Sequence, residues 1–159
     1  MSSSASLPEI KKIRLKLKAE GKNVVFTNGV FDLIHSGHVD YLSKAKKLGD
    51  VLIVGLNSDD SVKRIKGDKR PILNQVERSF ILSNIKPVDY VVVFEEDTPA
   101  NLISEIIPDI LVKGADWAVE KIVGKDIVEA NGGEVKTIEF VNSQSTTNII
   151  ETVIERYGR

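Results

Sequence analysis

The sequence contains no cysteine. Disulfide bonds, thiolate zinc sites and a cysteine nucleophile are therefore excluded, and a cytoplasmic setting is expected. Long apolar runs are also missing: the longest, such as residues 51–55 and 90–94, are the length of a strand. A membrane helix needs about 20 consecutive apolar residues. We therefore expect no membrane-spanning segment.

A large net charge is absent as well, because 22 basic residues nearly balance 23 acidic ones and leave a net charge of -1. Such a protein has no global field to attract nucleic acid or an anionic membrane. The Ser-rich residues 1–7 lack the basic start and apolar centre of a signal peptide. Small molecules are the expected partners.

The length of 159 residues and the hydrophobic fraction of 42% are typical of one soluble globular domain. Short apolar runs alternate with amphipathic segments along the chain. The predicted strands are residues 24–26, 51–56, 90–94, 110–113 and 135–140, and the predicted helices are residues 8–20, 38–48, 75–84, 98–106, 123–130 and one starting at Ser145. This alternation predicts a Rossmann-like α/β domain with a parallel sheet of about five strands and helices on both faces. Residues 1–22 are expected to form a tail and leading helix, and residues 23–159 the single globular domain.

Residues 27–38, Thr-Asn-Gly-Val-Phe-Asp-Leu-Ile-His-Ser-Gly-His, join the first predicted strand to a helix. The only two histidines of the chain, His35 and His38, lie here three positions apart, so one helical turn places them on the same side. A helix N-terminus offers free N–H groups and a positive dipole end. The segment therefore predicts a phosphate-binding site.

Several other site types are absent from the sequence. It has no Gly-x-x-x-x-Gly-Lys-Ser/Thr phosphate loop, and no Gly-x-Gly-x-x-Gly follows the first strand. Two histidines without a nearby third ligand make a poor zinc site, so no protein-held metal is expected. Five of the eight residues 63–70 are basic, a pattern that is also typical of a solvated loop.

The strand, the glycine turn, Asp32 and His-x-Gly-His together resemble the signature of the cytidylyltransferase-like nucleotidyltransferases. The resemblance covers almost the whole chain, from about Asn23 to Glu155. The further matching motifs, in family order, are residues 48–50, 57–59, 64–67, 70–71, 77–78, 112–117 and 145–147. Within the family the likeness is greatest to the heptose 1-phosphate adenylyltransferases.

The resemblance implies roles for particular residues. Those implied for catalysis are His35, His38 and Lys66, and those implied for the acceptor phosphate are Lys66, Lys113 and Arg78. Those implied for nucleotide binding are Asn28, Gly29, Val30, Phe31, Asp32, His38, Gly114, Asp116, Trp117, Ser145, Thr146 and Thr147.

Some of these assignments have alternatives that the sequence leaves open. Asp32 could orient a histidine or shape the turn, and Trp117 could equally belong to the core. Lys113 could be a surface lysine at a strand end, and Ser145 to Thr147 could simply cap the last helix. Within the basic segment, Lys66 precedes Gly67 as in the family's phosphate-binding Lys-Gly. Its basic neighbours are expected to contribute only to the electrostatic field around the site.

The implied reaction transfers AMP from ATP, with Mg²⁺, to a sugar 1-phosphate. A cytidylyltransferase that uses glycerol 3-phosphate and a nucleotide-binding module without turnover are the alternatives. Residues 141–144, Val-Asn-Ser-Gln, replace the Arg-Thr-Glu-Gly-Ile lead-in of the glycerol and choline relatives, which favours a different acceptor. A separate sugar kinase is expected to supply that acceptor, and a homodimer is left open.

Overall fold

A computed structural model describes residues 3–140 and 145–158. The strands are β1 (Ser3–Ser4), β2 (Val24–Gly29), β3 (Val51–Asn57), β4 (Tyr90–Phe94), β5 (Ile110–Gly114) and β6 (Glu134–Ile138). The helices are α1 (Leu7–Ala19), α2 (Ser36–Lys46), α3 (Asp59–Lys66), α4 (Gln75–Ser83), α5 (Ala100–Ile106), α6 (Lys125–Ala130) and α7 (Thr146–Tyr157), with a 3₁₀ turn at Val119–Lys121.

The described strands form one parallel sheet in the order β1-β4-β3-β2-β5-β6. From β2 the chain adds β3 and β4 on one side and later β5 and β6 on the other. The strand order therefore reverses between β2 and β5, and in such sheets ligands bind beyond the carboxyl ends of the strands at this point.

Two apolar clusters cover the two faces of the sheet. On one face, Tyr41 and Leu42 of α2 and Leu82 of α4 pack on residues from the strands. On the other face, Ile10 of α1 and Ile103 of α5 do the same. The prediction of a parallel sheet with helices on both faces is confirmed.

The five predicted strands are confirmed, and the pair Ser3–Ser4 adds a sixth at the edge beside β4. Helix α3 was not predicted, because only Ser61 and Val62 of its eight residues are buried and no apolar stripe marks it. Ser58 caps α3 by accepting a hydrogen bond from the N–H of Ser61 at 3.2 Å. Half of the basic segment is therefore helix rather than loop.

The leading helix packs firmly on the sheet. Ile10 is fully buried, and the Arg14 guanidinium donates to the carbonyl oxygen of Ile107 at 2.9 Å and to Asp109 at 2.9 Å. Across residues 3–140 and 145–158, the helices are too short or too polar to cross a membrane.

Candidate active site

A cavity of about 550 Å³ lies at the carboxyl ends of β2, β3, β4 and β5, where the strand order reverses. Most of the predicted site residues meet in its lining: Asn28, Gly29, Val30, Phe31, Asp32, His38, Lys66, Lys113, Trp117, Thr146 and Thr147. The cavity is large enough for a nucleotide.

The turn after β2 forms the floor of this cavity. A Cβ atom on Gly29 would lie 2.9 Å from the Phe31 ring, so the ring can pack on the backbone there only because residue 29 is glycine. Phe31 itself has a φ of 45°, which is rare for a bulky side chain and costs backbone energy. The turn thus holds the backbone of β2 close to the cavity.

The two histidines stand at the N-terminus of α2, where His35 is the N-cap residue. Their ring centroids are 3.8 Å apart, and the His38 ring also lies 5.3 Å from the Phe31 ring. His38 lines the cavity, whereas His35 is absent from the lining and contacts the His38 ring. Burial lowers the pKa of His38 to about 4, with a further contribution from His35, and burial also lowers the pKa of His35. Both rings are neutral at pH 7.

Three buried polar atoms around this turn have no hydrogen-bond partner within the described part of the chain. They are Nδ1 of His35, Nδ1 of His38 and Oδ1 of Asn28. Buried polar atoms without partners are uncommon in folded proteins and often mark a site that a ligand or water completes. Their clustering supports ligand binding at the floor of the cavity.

Lys113 projects from the end of β5 toward β2. Its Nζ donates to the carbonyl oxygen of Asn28 at 3.3 Å and lies 5.8 Å from the centroid of the Trp117 ring. Burial lowers the pKa of Lys113 to about 8, against an opposing effect of Asp116. Lys113 is therefore a cation of the cavity at pH 7 rather than a surface lysine.

A smaller cavity of about 170 Å³ continues from the main one past Trp117 and is lined by Gly114 and Asp116. Trp117 is 50% exposed, which excludes the core position considered for it. A Cβ atom on Gly114 would collide with the ring of Phe140, and that ring stacks on Tyr41 with 5.2 Å between centroids. The glycine thus allows the aromatic pair to close this end of the site.

The N-terminus of α7 forms another wall. Ser145 caps the helix by accepting from the N–H of Asn148 at 3.1 Å, as the capping alternative requires. Thr146 and Thr147 line the cavity, and the Thr146 hydroxyl donates to the carbonyl oxygen of Leu33 at 3.3 Å. Two helix N-termini, those of α2 and α7, therefore converge on one cavity.

The basic segment of residues 63–70 contributes Ile65 and two basic side chains, Lys66 and Arg70, to the lining. Lys63 and Arg64 pair instead with Asp60 and Asp97. Lys69 is exposed and lies outside the lining. Arg70 was expected to contribute only to the electrostatic field of the site, so its position in the cavity lining corrects that expectation.

Asp32 does not orient either histidine among the described contacts. It is paired with Arg70 and accepts the backbone N–H groups of Ile72 and Leu73. Of the two alternatives for Asp32, the structure favours the one in which it shapes the backbone around it.

The expected acceptor-phosphate role of Arg78 is not retained. Arg78 is fully buried, donates to the carbonyl oxygens of Leu73, Val30 and Asn57, and pairs with Asp59 at 2.7 Å. Its guanidinium joins β3, α3 and α4 behind the cavity and is absent from the cavity lining. The sequence does not reveal that Arg78 is buried and bonded to four partners.

Other lining residues were not predicted, notably Asn57 at the end of β3 and residues 97–99 just beyond the end of β4. Their position after parallel strands was the available signal, because strand ends converge on one edge of a sheet. Residues 141–144, on which the expected acceptor preference rests, lie outside the described residues.

Comparison with known families gives one match that spans most of the chain. A family model described as cytidylyltransferase-like matches residues 26–152. The bifunctional protein HldE of Pelobacter propionicus is 57% identical over 141 residues, which are 89% of this chain and 29% of that protein. The protein of the same name from Nitratiruptor sp. is 57% identical over 143 residues, 90% of this chain and 30% of that protein. The chain thus spans less than a third of the length of these relatives.

Solved structures give the same fold. The lipopolysaccharide core biosynthesis protein of Thermoplasma volcanium has a TM-score of 0.63 and 31% identity, and the match covers 78% of this chain and all of that one. A pantoate-beta-alanine ligase from Francisella tularensis has a TM-score of 0.64 at 15% identity, covering 92% of this chain and 69% of that chain. The second likeness concerns the fold alone.

Proposed function

Because the chain belongs to the cytidylyltransferase-like family of nucleotidyltransferases, we propose that it transfers AMP from ATP to heptose 1-phosphate and releases pyrophosphate. One observation carries the proposal. The N-termini of α2 and α7, the unpaired atoms of His38 and Asn28, and the ammonium of Lys113 all meet at one cavity. Such a site suits a ligand with several phosphate groups.

In the proposed reaction, an oxygen of the sugar 1-phosphate attacks the α-phosphorus of ATP in line. The bond from that phosphorus to the bridging oxygen breaks as the new P–O bond forms, and pyrophosphate leaves with the electron pair. No covalent enzyme intermediate is required. Reactions of this kind are accelerated chiefly by positioning the reactants and stabilising the developing charge.

The nucleotide is assigned to the β2–β5 side of the cavity. The turn of residues 28–32 and His38 would contact the phosphate groups, with Ser145, Thr146 and Thr147 at the N-terminus of α7 beside them.

Asp116 would accept from ribose hydroxyls, and Trp117 and Gly114 would line the nucleoside pocket. His35 would act through its ring contact with His38.

Lys66 and Lys113 are assigned to the acceptor phosphate. The two reactants are both anions, so the cavity must neutralise their mutual repulsion before an oxygen of one can approach the phosphorus of the other. Lys66 at the end of α3 and Lys113 at the end of β5 both line the cavity. Lys113, which contacts Asn28 on the nucleotide side, would reach the acceptor phosphate where it meets the nucleotide. Together the two lysines bring two ammonium groups to the cavity.

Mg²⁺ is proposed to enter with ATP. Within residues 3–140 and 145–158 no cluster of three or more imidazole or carboxylate groups could hold a metal ion. We propose that the ion is held mainly by the triphosphate and water, as Mg²⁺ often is. The ion would neutralise phosphate charge.

The acceptor is inferred from the likeness to the heptose 1-phosphate adenylyltransferases, and a relative named a lipopolysaccharide core biosynthesis protein supports it. The relatives are named bifunctional, and we propose that their second function lies in the part of those proteins that this chain does not match. We propose that a sugar kinase acts before this chain and that residues 23–159, together with β1 and α1 on the same sheet, form the nucleotidyltransferase domain. A homodimer is a further proposal, to be tested by sedimentation.

The test is release of pyrophosphate by the purified chain with ATP, Mg²⁺ and heptose 1-phosphate, with ADP-heptose identified by mass spectrometry. A His38→Ala variant serves as the matched control for contaminating activity. The proposal is supported if the parent chain produces ADP-heptose and the His38→Ala variant produces much less. Nucleotide binding without any pyrophosphate release would instead identify a non-catalytic module.

A further inference from the structure

The carboxylate of Asp32 fixes the segment that follows α3. Its side chain is completely buried, and it accepts the backbone N–H groups of Ile72 and Leu73, each at 2.9 Å. It also accepts from Nε of Arg70 at 2.6 Å. Asp32 follows the floor turn of the cavity, so these bonds attach residues 70–73 directly to that turn.

The ionised state of Asp32 is favoured by these contacts. Burial alone would raise the pKa of this carboxyl, but the bonds from Leu73 and Ile72 and the Arg70 guanidinium together hold the pKa below its ordinary value. An ionised, buried carboxylate beside a guanidinium restricts the orientation of that guanidinium. The Arg70 side chain is only 17% exposed.

The bond to Asp32 uses only one of the three nitrogen atoms of Arg70. Among the described residues, neither terminal nitrogen of Arg70 has a hydrogen-bond partner, although the side chain lines the cavity. Arg64, six positions earlier, donates instead to Asp97 and to the carbonyl oxygen of Glu95. Arg70 is thus an arginine of the basic segment that is both aimed by a carboxylate and left with donors for a ligand.

The position of Arg70 in the fold indicates which ligand it would meet. The nucleotide is assigned to the β2–β5 side, whereas Arg70 and Lys66 come from the segment after β3. Asn57 and residues 97–99, at or just beyond the ends of β3 and β4, line the same side of the cavity. This side is where the second reactant would enter.

We propose that Arg70 binds the phosphate group of the acceptor and that Asp32 is the residue that positions it. The inference rests on the proposed function, since it names a ligand of the same cavity. A guanidinium held through Nε can offer both terminal nitrogens to two phosphate oxygens, a geometry that a lysine cannot reproduce. Lys66 then adds a point charge, and Arg70 fixes the direction from which the nucleophilic oxygen approaches.

The experiment compares Arg70→Gln, Arg70→Lys and Asp32→Asn with Lys69→Gln, a charge removal in the same segment outside the cavity. For each full-length variant, steady-state kinetics give kcat and the KM of heptose 1-phosphate, calorimetry gives the Kd of ATP, and urea denaturation reports folding. We expect Arg70→Gln to raise the acceptor KM on the order of 10- to 100-fold. The Kd of ATP should stay within about twofold of the parent value, and Lys69→Gln should match the parent.

The positioning role of Asp32 is tested by the double variant Asp32→Asn/Arg70→Gln. If Asp32 acts through Arg70, Asp32→Asn raises the acceptor KM in the parent and adds little once Arg70 is gone. Full multiplication of the two effects overturns the positioning role. An unchanged acceptor KM in Arg70→Gln, or a loss confined to ATP affinity, overturns the ligand role.

Failure of the proposed function gives a different result. The parent chain itself would then release no pyrophosphate with heptose 1-phosphate, whatever the variants do. In that case the same variants are measured with the phosphorylated acceptor that the parent does use, such as glycerol 3-phosphate. A folded Arg70→Gln variant with parental KM for that acceptor contradicts the inference.

Discussion

The imidazole rings of His35 and His38 lie 3.8 Å apart at the N-terminus of α2, and Nδ1 of each ring is buried with no partner among the described residues. The pair is neutral near pH 7 because burial lowers the pKa of both rings. Neutral imidazoles next to a helix N-terminus can donate to phosphate oxygens without a competing salt bridge. This geometry supports an electrostatic rather than a nucleophilic role for His38.

Replacing His38 by alanine should therefore lower kcat on the order of 100- to 1,000-fold, the usual cost of removing one donor that stabilises the transition state. Folding stability should change little, because the His38 ring is polar and only partly buried. Pyrophosphate-release kinetics and urea denaturation measure the two effects. Near-parental turnover in a folded His38→Ala variant contradicts the role.

Lys66 and Lys69 offer a matched comparison within one segment, since Lys66 lines the cavity and Lys69 does not. Lys66→Ala should reduce kcat/KM for the acceptor about 10- to 100-fold through loss of a charged hydrogen bond. Lys69→Ala should produce only a small change that disappears at high salt. Equal, small effects from both variants at 50 and 500 mM NaCl would show that Lys66 is merely a solvated surface residue.

Arg78 is predicted to stabilise the fold rather than to bind a ligand. Removing one partner of a buried ion pair leaves the other without compensation, so Arg78→Ala should lower the free energy of unfolding by about 3–5 kcal/mol. Urea denaturation measures this loss, and Arg64→Ala, at an arginine whose ion pair with Asp97 is exposed, is the comparison. An Arg78→Ala variant with parental stability but a raised acceptor KM would restore the ligand role.

The efficiency of the reaction should fall at alkaline pH because Lys113 loses its proton. Burial lowers its pKa to about 8, so the ammonium is present below that pH and is lost above it. We expect kcat/KM for the acceptor to fall roughly tenfold between pH 7 and pH 9 as the ammonium deprotonates. Lys113→Arg should remove this decline, because arginine stays charged. A parental profile that stays flat to pH 9 contradicts the assignment.

The sheet was predictable because each strand of β2 to β5 is largely an apolar run bounded by turn residues, and β6 mixes apolar and polar residues after the Gly132-Gly133 turn. The site followed from the residues that end these strands. Helix α3 was missed because most of its residues are polar or charged, so its sequence shows no clear helical period of apolar residues. The different roles of Arg70 and Arg78 were not predictable either. Both are arginines in matching motifs, and only their tertiary partners separate a cavity-lining side chain from a buried structural one.

The most direct test of the proposed function compares kcat/KM for four pairs of substrates: ATP or CTP, each with heptose 1-phosphate or glycerol 3-phosphate. We predict that ATP with heptose 1-phosphate exceeds every other pair. The acceptor preference rests on Lys113 at the strand end and on the absence of arginine from residues 141–144, whereas the ATP preference rests on the likeness to the heptose 1-phosphate adenylyltransferases. A different cation placement suits a different acceptor. A preference for CTP, or faster turnover of glycerol 3-phosphate, would contradict the heptose assignment while leaving nucleotidyl transfer in place.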